Sequence, residues 1–310
     1  MILSVSRRTD IPRFYFDWFL NRLKDGYVFV RNPMNPAQVS RIALNENTLD
    51  FIVFWSKNPE PMLAHLKDLE PYPYYIQFTI NPYDEDIESN LPPKEKLIDT
   101  FKKLSDTISA DKMVWRYSPL LLNEKYTPDF HIQAFEKLAH ELKGATYRCH
   151  LSFLDMYAKI EYNMKKLGVR EGTLKEQQTL ATAFKKTAVD NGMTIGACGN
   201  VDLKQTGLNP SVCIDGALIE KLTGMQLNLK KDKNQRDTCY CTSSIDIGTY
   251  NTCLNGCAYC YANHSTKSIR KKVVTFDPLS PILCDFIKPT DKIIERAVKS
   301  NFIRQKNLFG

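Results

Sequence analysis

The chain predicts an α/β fold built on a parallel sheet, and three observations carry that expectation. Short apolar runs alternate with amphipathic helical stretches at the spacing of βα units. One of the runs is apolar without a break from Phe51 to Trp55, as a strand covered on both faces must be. Proline and Thr-Pro signals open helices after several of the runs. In order, residues 2–5 read as a strand and 14–23 as a helix. Residues 49–55 form the next strand, and Pro59 opens a helix with Met62, Leu63, Leu66 and Leu69 on one face. Residues 74–80 form a strand, followed by a helix from Pro93 carrying Leu97, Ile98, Phe101 and Leu104. A strand over 113–117 ends before Pro119. Thr127 and Pro128 then start a helix with Ile132, Phe135, Leu138 and Leu142 inward, which Gly144 stops. Residues 147–154 are a strand, one or two helices cover 156–191, and 193–197 is a sixth strand. Periodicity alone leaves an open sheet and a partial barrel equally compatible.

The chain has 310 residues, 43% of them hydrophobic and 25% charged. That composition excludes disordered, collagenous and low-complexity classes. No apolar run approaches the roughly 18 residues of a membrane span. The net charge is +7, and residues 262–310 hold ten lysines and arginines against four acids. A basic tail of this kind meets nucleic acid or presents a solvated helix face. Thr290 and Asp291 read as the cap of a final helix bearing Ile293, Ile294, Ala297 and Val298. The expected organisation is a body over 1–197, a cysteine-rich segment over 198–265 and a basic tail over 266–310.

Nine cysteines, an odd number, stand without a signal peptide. The stretch after Arg7-Arg8 is not apolar, which argues against export. Thiolate ligands in a reducing cytoplasm are therefore expected rather than disulfides. Cys253, Cys257 and Cys260 form a C-x3-C-x2-C run, and Gly256 lets that loop turn tightly. Such a loop can ligate three irons of a 4Fe–4S cluster and leave the fourth open. Zinc competes, but structural zinc favours paired C-x2-C halves and a closed set of four.

The run, with Tyr259 before its last cysteine, resembles the signature loop of the radical S-adenosylmethionine (SAM) enzymes. The resemblance implies that the open iron holds the amino and carboxylate groups of SAM. Reductive cleavage of the sulfur–C5′ bond then yields methionine and a 5′-deoxyadenosyl radical, with Tyr259 near the adenine. It also implies a reducing partner such as a flavodoxin or ferredoxin. The body resembles the spore photoproduct lyase-like enzymes at Phe54-Trp55-Ser56-Lys57-Asn58-Pro59, at Gln77-Phe78-Thr79-Ile80 with Ile87, Glu88 and Pro92, and at Trp115-Arg116-Tyr117-Ser118-Pro119-Leu120. From Ser4 to Ala262 the chain is similar to an uncharacterised bacterial family described as having a radical-SAM-like cysteine cluster at its C-terminus. These resemblances imply a partial (β/α)6 TIM-like barrel in circularly permuted order. Residues 2–5 would be its second strand, and residues 245–250 its first, returning late to feed the cluster loop.

The resemblance further implies that Lys57 holds the SAM carboxylate and Thr79 a ribose hydroxyl, where the relatives carry Ser. Arg116 would meet a carboxylate or phosphate. Arg7, Arg8, Thr9 and Asp10 occupy the place of the loop that binds the SAM amino group, but the usual Gly-Gly-Glu is absent. These arginines face an anionic substrate or an Arg–Asp network. Cys198, Cys213, Cys239 and Cys241 match the ligand count of an auxiliary 4Fe–4S cluster or a structural zinc, and unligated thiols are the third reading. Cys149 and Cys284 read as structural. His65, His131 and His140 lie on helices without metal-ligand spacing, His150 lies on a strand, and His264 follows the loop. The expected function is a cytoplasmic radical SAM enzyme acting on a nucleic acid lesion or modification. Its rivals are a radical SAM enzyme for a protein or metabolite, and a non-catalytic zinc-stabilised nucleic-acid-binding protein.

Overall fold

The computed structural model describes residues 1–199 and 202–303. Arg304 and Lys306 of the basic tail lie outside the described residues. The chain opens with β1 (Ile2–Val5), α1 (Ile11–Phe14) and α2 (Phe16–Asp25). Asp10 caps α1 by accepting from the Arg13 N–H. A hairpin of β2 (Tyr27–Arg31) and β3 (Gln38–Ala43) follows, then β4 (Phe51–Ser56) and a 3-10 helix over Glu60–Leu69. The pattern continues through β5 (Tyr74–Thr79), α3 (Lys94–Ile108), β6 (Met113–Leu120) and α4 (Pro128–Glu141). Next come β7 (Arg148–Phe153), α5 (Ala158–Lys166), α6 (Leu174–Asp190) and β8 (Thr194–Ala197). Shorter pieces complete the chain: α7 (Leu203–Thr206), β9 (Asn209–Pro210), α8 (Gly216–Thr223), β10 (Ile245–Asp246), α9 (Thr266–Val273) and β11 (Lys292–Glu295).

Eight strands form one sheet in the order β10-β1-β4-β5-β6-β7-β8-β9, and every pairing in it is parallel. The six expected body strands are there. The late β10 lies beside β1, with Leu3 opposite Ile245 and Ser4 opposite Asp246. The unexpected β9 extends the other edge. Side chains alternate between the two faces, as the strand period requires. Leu3, Val5, Ile52, Phe54, Ile76, Phe78, Trp115 and Tyr117 pack under the helices. Ile2, Phe51, Val53, Trp55, Tyr75 and Val114 pack instead against Cys213, Ile214, Leu218, Ile219, Leu227 and Cys241. The cysteine-rich segment thus covers the sheet face that the helices leave bare, and both faces are dry, as a parallel sheet demands. Each fully buried Phe or Ile in these layers contributes about 1.5–3 kcal/mol.

Besides β9, the structure departs from the sequence expectations in four places. The hairpin of β2 and β3 was not expected, although Val28 and Ile42 alternate with less buried residues and sit in the main core. The helix after Pro59 is of 3-10 type. Strand β6 runs past Pro119 to Leu120, because a register shift between Tyr117 and Leu120 accommodates the missing N–H. The predicted final helix is the strand β11. It pairs parallel with β3, with Ile293 opposite Val39 and Ile294 opposite Ser40. The free edge of β3 and two adjacent isoleucines favour the extended form over the helix. Asp291 is no helix cap; its carboxylate takes Arg31 Nη1 at 2.7 Å and Nη2 at 2.8 Å. No helix among the described residues is long and apolar enough to cross a membrane.

Candidate functional site

The three-cysteine loop lies at the C-terminal ends of the first strands of the sheet, where parallel sheets present function. Strand β10 is shorter than expected because its last carboxylate ends the pairing. Asp246 accepts from Ser4 Oγ at 2.9 Å, Ser6 Oγ at 2.6 Å, the Arg7 N–H at 2.7 Å and the Gly248 N–H at 3.0 Å. The chain turns there and enters the loop. Asn255, between the first two cysteines, donates to Asp10 Oδ2 at 2.8 Å, and Arg13 Nη1 donates to Asn255 Oδ1 at 2.5 Å. Asp10 is also held by Ser56 Oγ at 2.7 Å and the Lys57 N–H at 2.9 Å. Burial pushes the Asp10 carboxyl up against the pull of these donors.

The loop after β5 forms the second clamp. Ala258 donates its N–H to Ile87 O at 2.9 Å, Asn90 donates its N–H to Asn255 O at 3.2 Å, and Asn90 Nδ2 reaches Leu254 O at 2.8 Å. Gly256 sits at φ +71°, and a Cβ there would lie 2.2 Å from Ser89 Oγ. Both the turn and the close approach therefore require glycine.

Glu88 stands at the centre of the site. Its Oε1 takes Lys57 Nζ at 2.7 Å, Asn81 Nδ2 at 3.0 Å and the Tyr259 hydroxyl, and its Oε2 takes Lys94 Nζ at 3.1 Å. Burial opposes the Glu88 charge, but Lys57, Lys94 and these donors outweigh it and hold the carboxyl down to about 2. Burial likewise opposes the Lys57 ammonium, and Glu88 and Cys257 overcome it, so its pKa is raised. A buried pair with this many donors is specific in geometry. Burial, reinforced by Asp10 and the other two thiols, pushes the Cys253 thiol well up. Burial also pushes Cys257 up to about 12, and Cys260 up against the N–H groups of Ala262 and Asn263 that face its sulfur.

The structure gathers some of the sequence-selected residues here and places others elsewhere. Lys57 and Tyr259 are both in the site, with Lys57 Nζ 5.4 Å from the Tyr259 ring centre. Both are engaged with Glu88. Thr79 is buried at the end of β5. Arg116 points deeper along the inner face, with its guanidinium 4.8 Å from the Trp55 ring centre. Arg7 and Arg8 form the Arg–Asp network, at 3.9 Å from Asp246 in both cases. His131 is a core residue between the Tyr117 hydroxyl at 2.6 Å and Leu121 O at 2.8 Å. Cys149 and Cys284 are buried in the main core, as expected. Sequence reading missed Asp10, Asn81 and Asn255 as clamps; the only hint of Asn255 was its place inside the cysteine run.

Cys198, Cys213, Cys239 and Cys241 converge at a second place. The Ser211 N–H bonds Ala197 O at 2.8 Å and the Thr242 N–H bonds Ile214 O at 3.0 Å, which brings the neighbours of three of these cysteines together. Tyr75 OH donates to Cys213 O at 2.5 Å. Cys213 is a neighbour of both Cys198 and Cys241, and Cys239 is a neighbour of Cys241. Among the described residues, no three His, Cys, Asp or Glu side chains are gathered round a single-ion position. The donor chemistry of the first loop nevertheless suits an iron–sulfur cluster: three neighbouring thiols, N–H groups aimed at sulfur, and a cation beside Cys257.

A family model described as "Domain of unknown function (DUF1848)" matches residues 2–262. No curated protein matches the chain.

Proposed function

The chain belongs to the DUF1848 family, and from the geometry of its cysteine loop we propose that it is a radical SAM enzyme. The observation that carries this reading is the clamped loop. Three thiols from one turn are presented at the strand ends, beside the Lys57–Glu88 pair. Cys253, Cys257 and Cys260 would hold a 4Fe–4S cluster, which when bound supplies the electron that cleaves SAM. The residues of the chain do the rest. Asp10, Asn255 and Arg13 fix the loop, Glu88 orients Lys57 and Tyr259, and Thr79 and Lys57 line the strand ends where SAM would lie. The position of β10 beside β1 supports a circularly permuted partial barrel, with the late strand first in space. The reading of the substrate class rests on α9, which buries none of its residues and carries Lys267, Arg270, Lys271 and Lys272. A basic helix of this kind supports a nucleic acid as substrate.

Anaerobically reconstituted protein should be brown, contain iron and sulfide, and form 5′-deoxyadenosine from SAM with a chemical reductant. A colourless protein holding only zinc would sink the proposal. Retention on DNA or RNA should weaken steeply with added salt. No retention at low salt would remove nucleic acid as the substrate class.

A further inference from the structure

The four-thiol group on the inner face is separate from the three-cysteine loop and has its own chemistry. Three segments remote in sequence deliver it: the end of β8, the turn after β9, and the strap that covers the sheet, which carries both Cys239 and Cys241. Cys213 and Cys241 are buried among Ile2, Phe51, Tyr75 and Val114, and Cys198 and Cys239 pack against the same cluster. The Cys241 N–H lies 3.5 Å from Cys239 Sγ, and the Ile214 N–H faces the sulfur of Cys241. Amide groups aimed at sulfur are a feature of iron–sulfur sites.

Three guanidinium groups surround the thiols: Arg7, Arg116 and Arg236. Arg7 has Asp246 and Asp232 as partners, and Arg236 has Asp155. Arg116 has no acid partner among the described residues, and its Nε is buried without a hydrogen bond. A half-buried cation with no carboxylate beside it calls for a nearby negative charge. Four metal-bound thiolates would supply it. Zinc fits the arrangement less well. The set lacks the paired C-x2-C halves of structural zinc, and no three donors among the described residues surround one ion.

We propose that Cys198, Cys213, Cys239 and Cys241 ligate a second 4Fe–4S cluster, one thiolate to each iron, with Arg116 as a neighbouring cation that has no carboxylate partner. Each thiol releases its proton as its iron–sulfur bond forms. This centre is closed, because all four irons have a protein ligand.

The test uses full-length protein with Cys253, Cys257 and Cys260 all changed to Ala, reconstituted anaerobically with equal amounts of ferrous and ferric iron and with sulfide. Removing the first loop makes the result independent of the radical SAM reading. About four iron and four sulfide per chain are expected, falling to near zero when Cys213→Ser and Cys241→Ser are added. A colourless triple variant, or one binding zinc without sulfide, overturns the proposal. Since the buried serines could unfold the strap, Arg116→Gln in the triple background gives a second readout without touching a ligand. Its iron content should persist while the reduction potential moves to more negative values, because a nearby positive charge is lost. An unchanged potential overturns the assignment of Arg116.

Discussion

The two cysteine groups of this molecule are built in opposite ways. The first lies within residues 253–260, so its thiols are local and its position is the tertiary problem. Clamps from three different strand ends solve it: Asp10 and Arg13 after β1, Lys57 after β4, and Glu88 to Asn90 after β5. The second group spans 198–241, so the fold must make the site itself. The first is flanked by a lysine–glutamate pair and offers three thiols. The second is flanked by arginines and offers four. The contrast teaches that a three-thiol group is prepared by holding a short loop still, whereas a four-thiol group is prepared by bringing distant strands together.

The largest expected effect breaks the first region alone. Cys253→Ala, Cys257→Ala or Cys260→Ala should each abolish 5′-deoxyadenosine formation. Circular dichroism should stay native and iron should persist at the four-thiol group. Wild-type turnover in any of them would refute the loop assignment. Next in size is Glu88→Gln, which leaves Lys57 and Lys94 around a neutral group and should cost about 3 kcal/mol in urea unfolding. The Glu88 carboxyl is depressed to about 2 from an ordinary 4.5. Its contribution is therefore full above pH 4.5 and is lost as pH falls toward 2. The stability gap between wild type and Glu88→Gln should close over that window, and a gap that is constant with pH would remove Glu88 from this role.

Gly256→Ala should sharpen the clamp argument, at a cost of about 1–2 kcal/mol. Its positive φ and the contact with Ser89 predict loss of iron from the first loop before the second. Equal loss at both groups would contradict the separation. The smallest effect is a control remote from both. Thr173 and Glu176 form a capping box at the start of α6, with the Thr173 N–H 2.8 Å from Glu176 Oε2. Thr173→Ala should lower stability by about 1 kcal/mol and leave both metal contents unchanged.

The contrast also explains what could be read in advance. The loop motif was legible because its cysteines sit within one turn, and Lys57 was legible because it ends an apolar strand. The body strands were legible because burial on both faces leaves continuous apolar runs. Asp10, Asn81 and Asn255 were not, since a buried polar clamp has the composition of an ordinary loop until its partners are in place. The predicted final helix failed for a related reason. Ile293, Ile294, Ala297 and Val298 match a helical face, and only the unpaired edge of β3 makes β11 a strand. The four-cysteine set could be counted but not located, because its spacing is set by the strap that covers the sheet.

Electron paramagnetic resonance of the reduced protein, recorded with and without SAM, tests the central contrast most directly. The account predicts that SAM alters the spectrum of the wild type, through the open three-thiol site. It predicts that the signal remaining in the Cys253→Ala, Cys257→Ala, Cys260→Ala variant is indifferent to SAM. A wild-type spectrum that SAM leaves unchanged, or a variant spectrum that SAM alters, would contradict it.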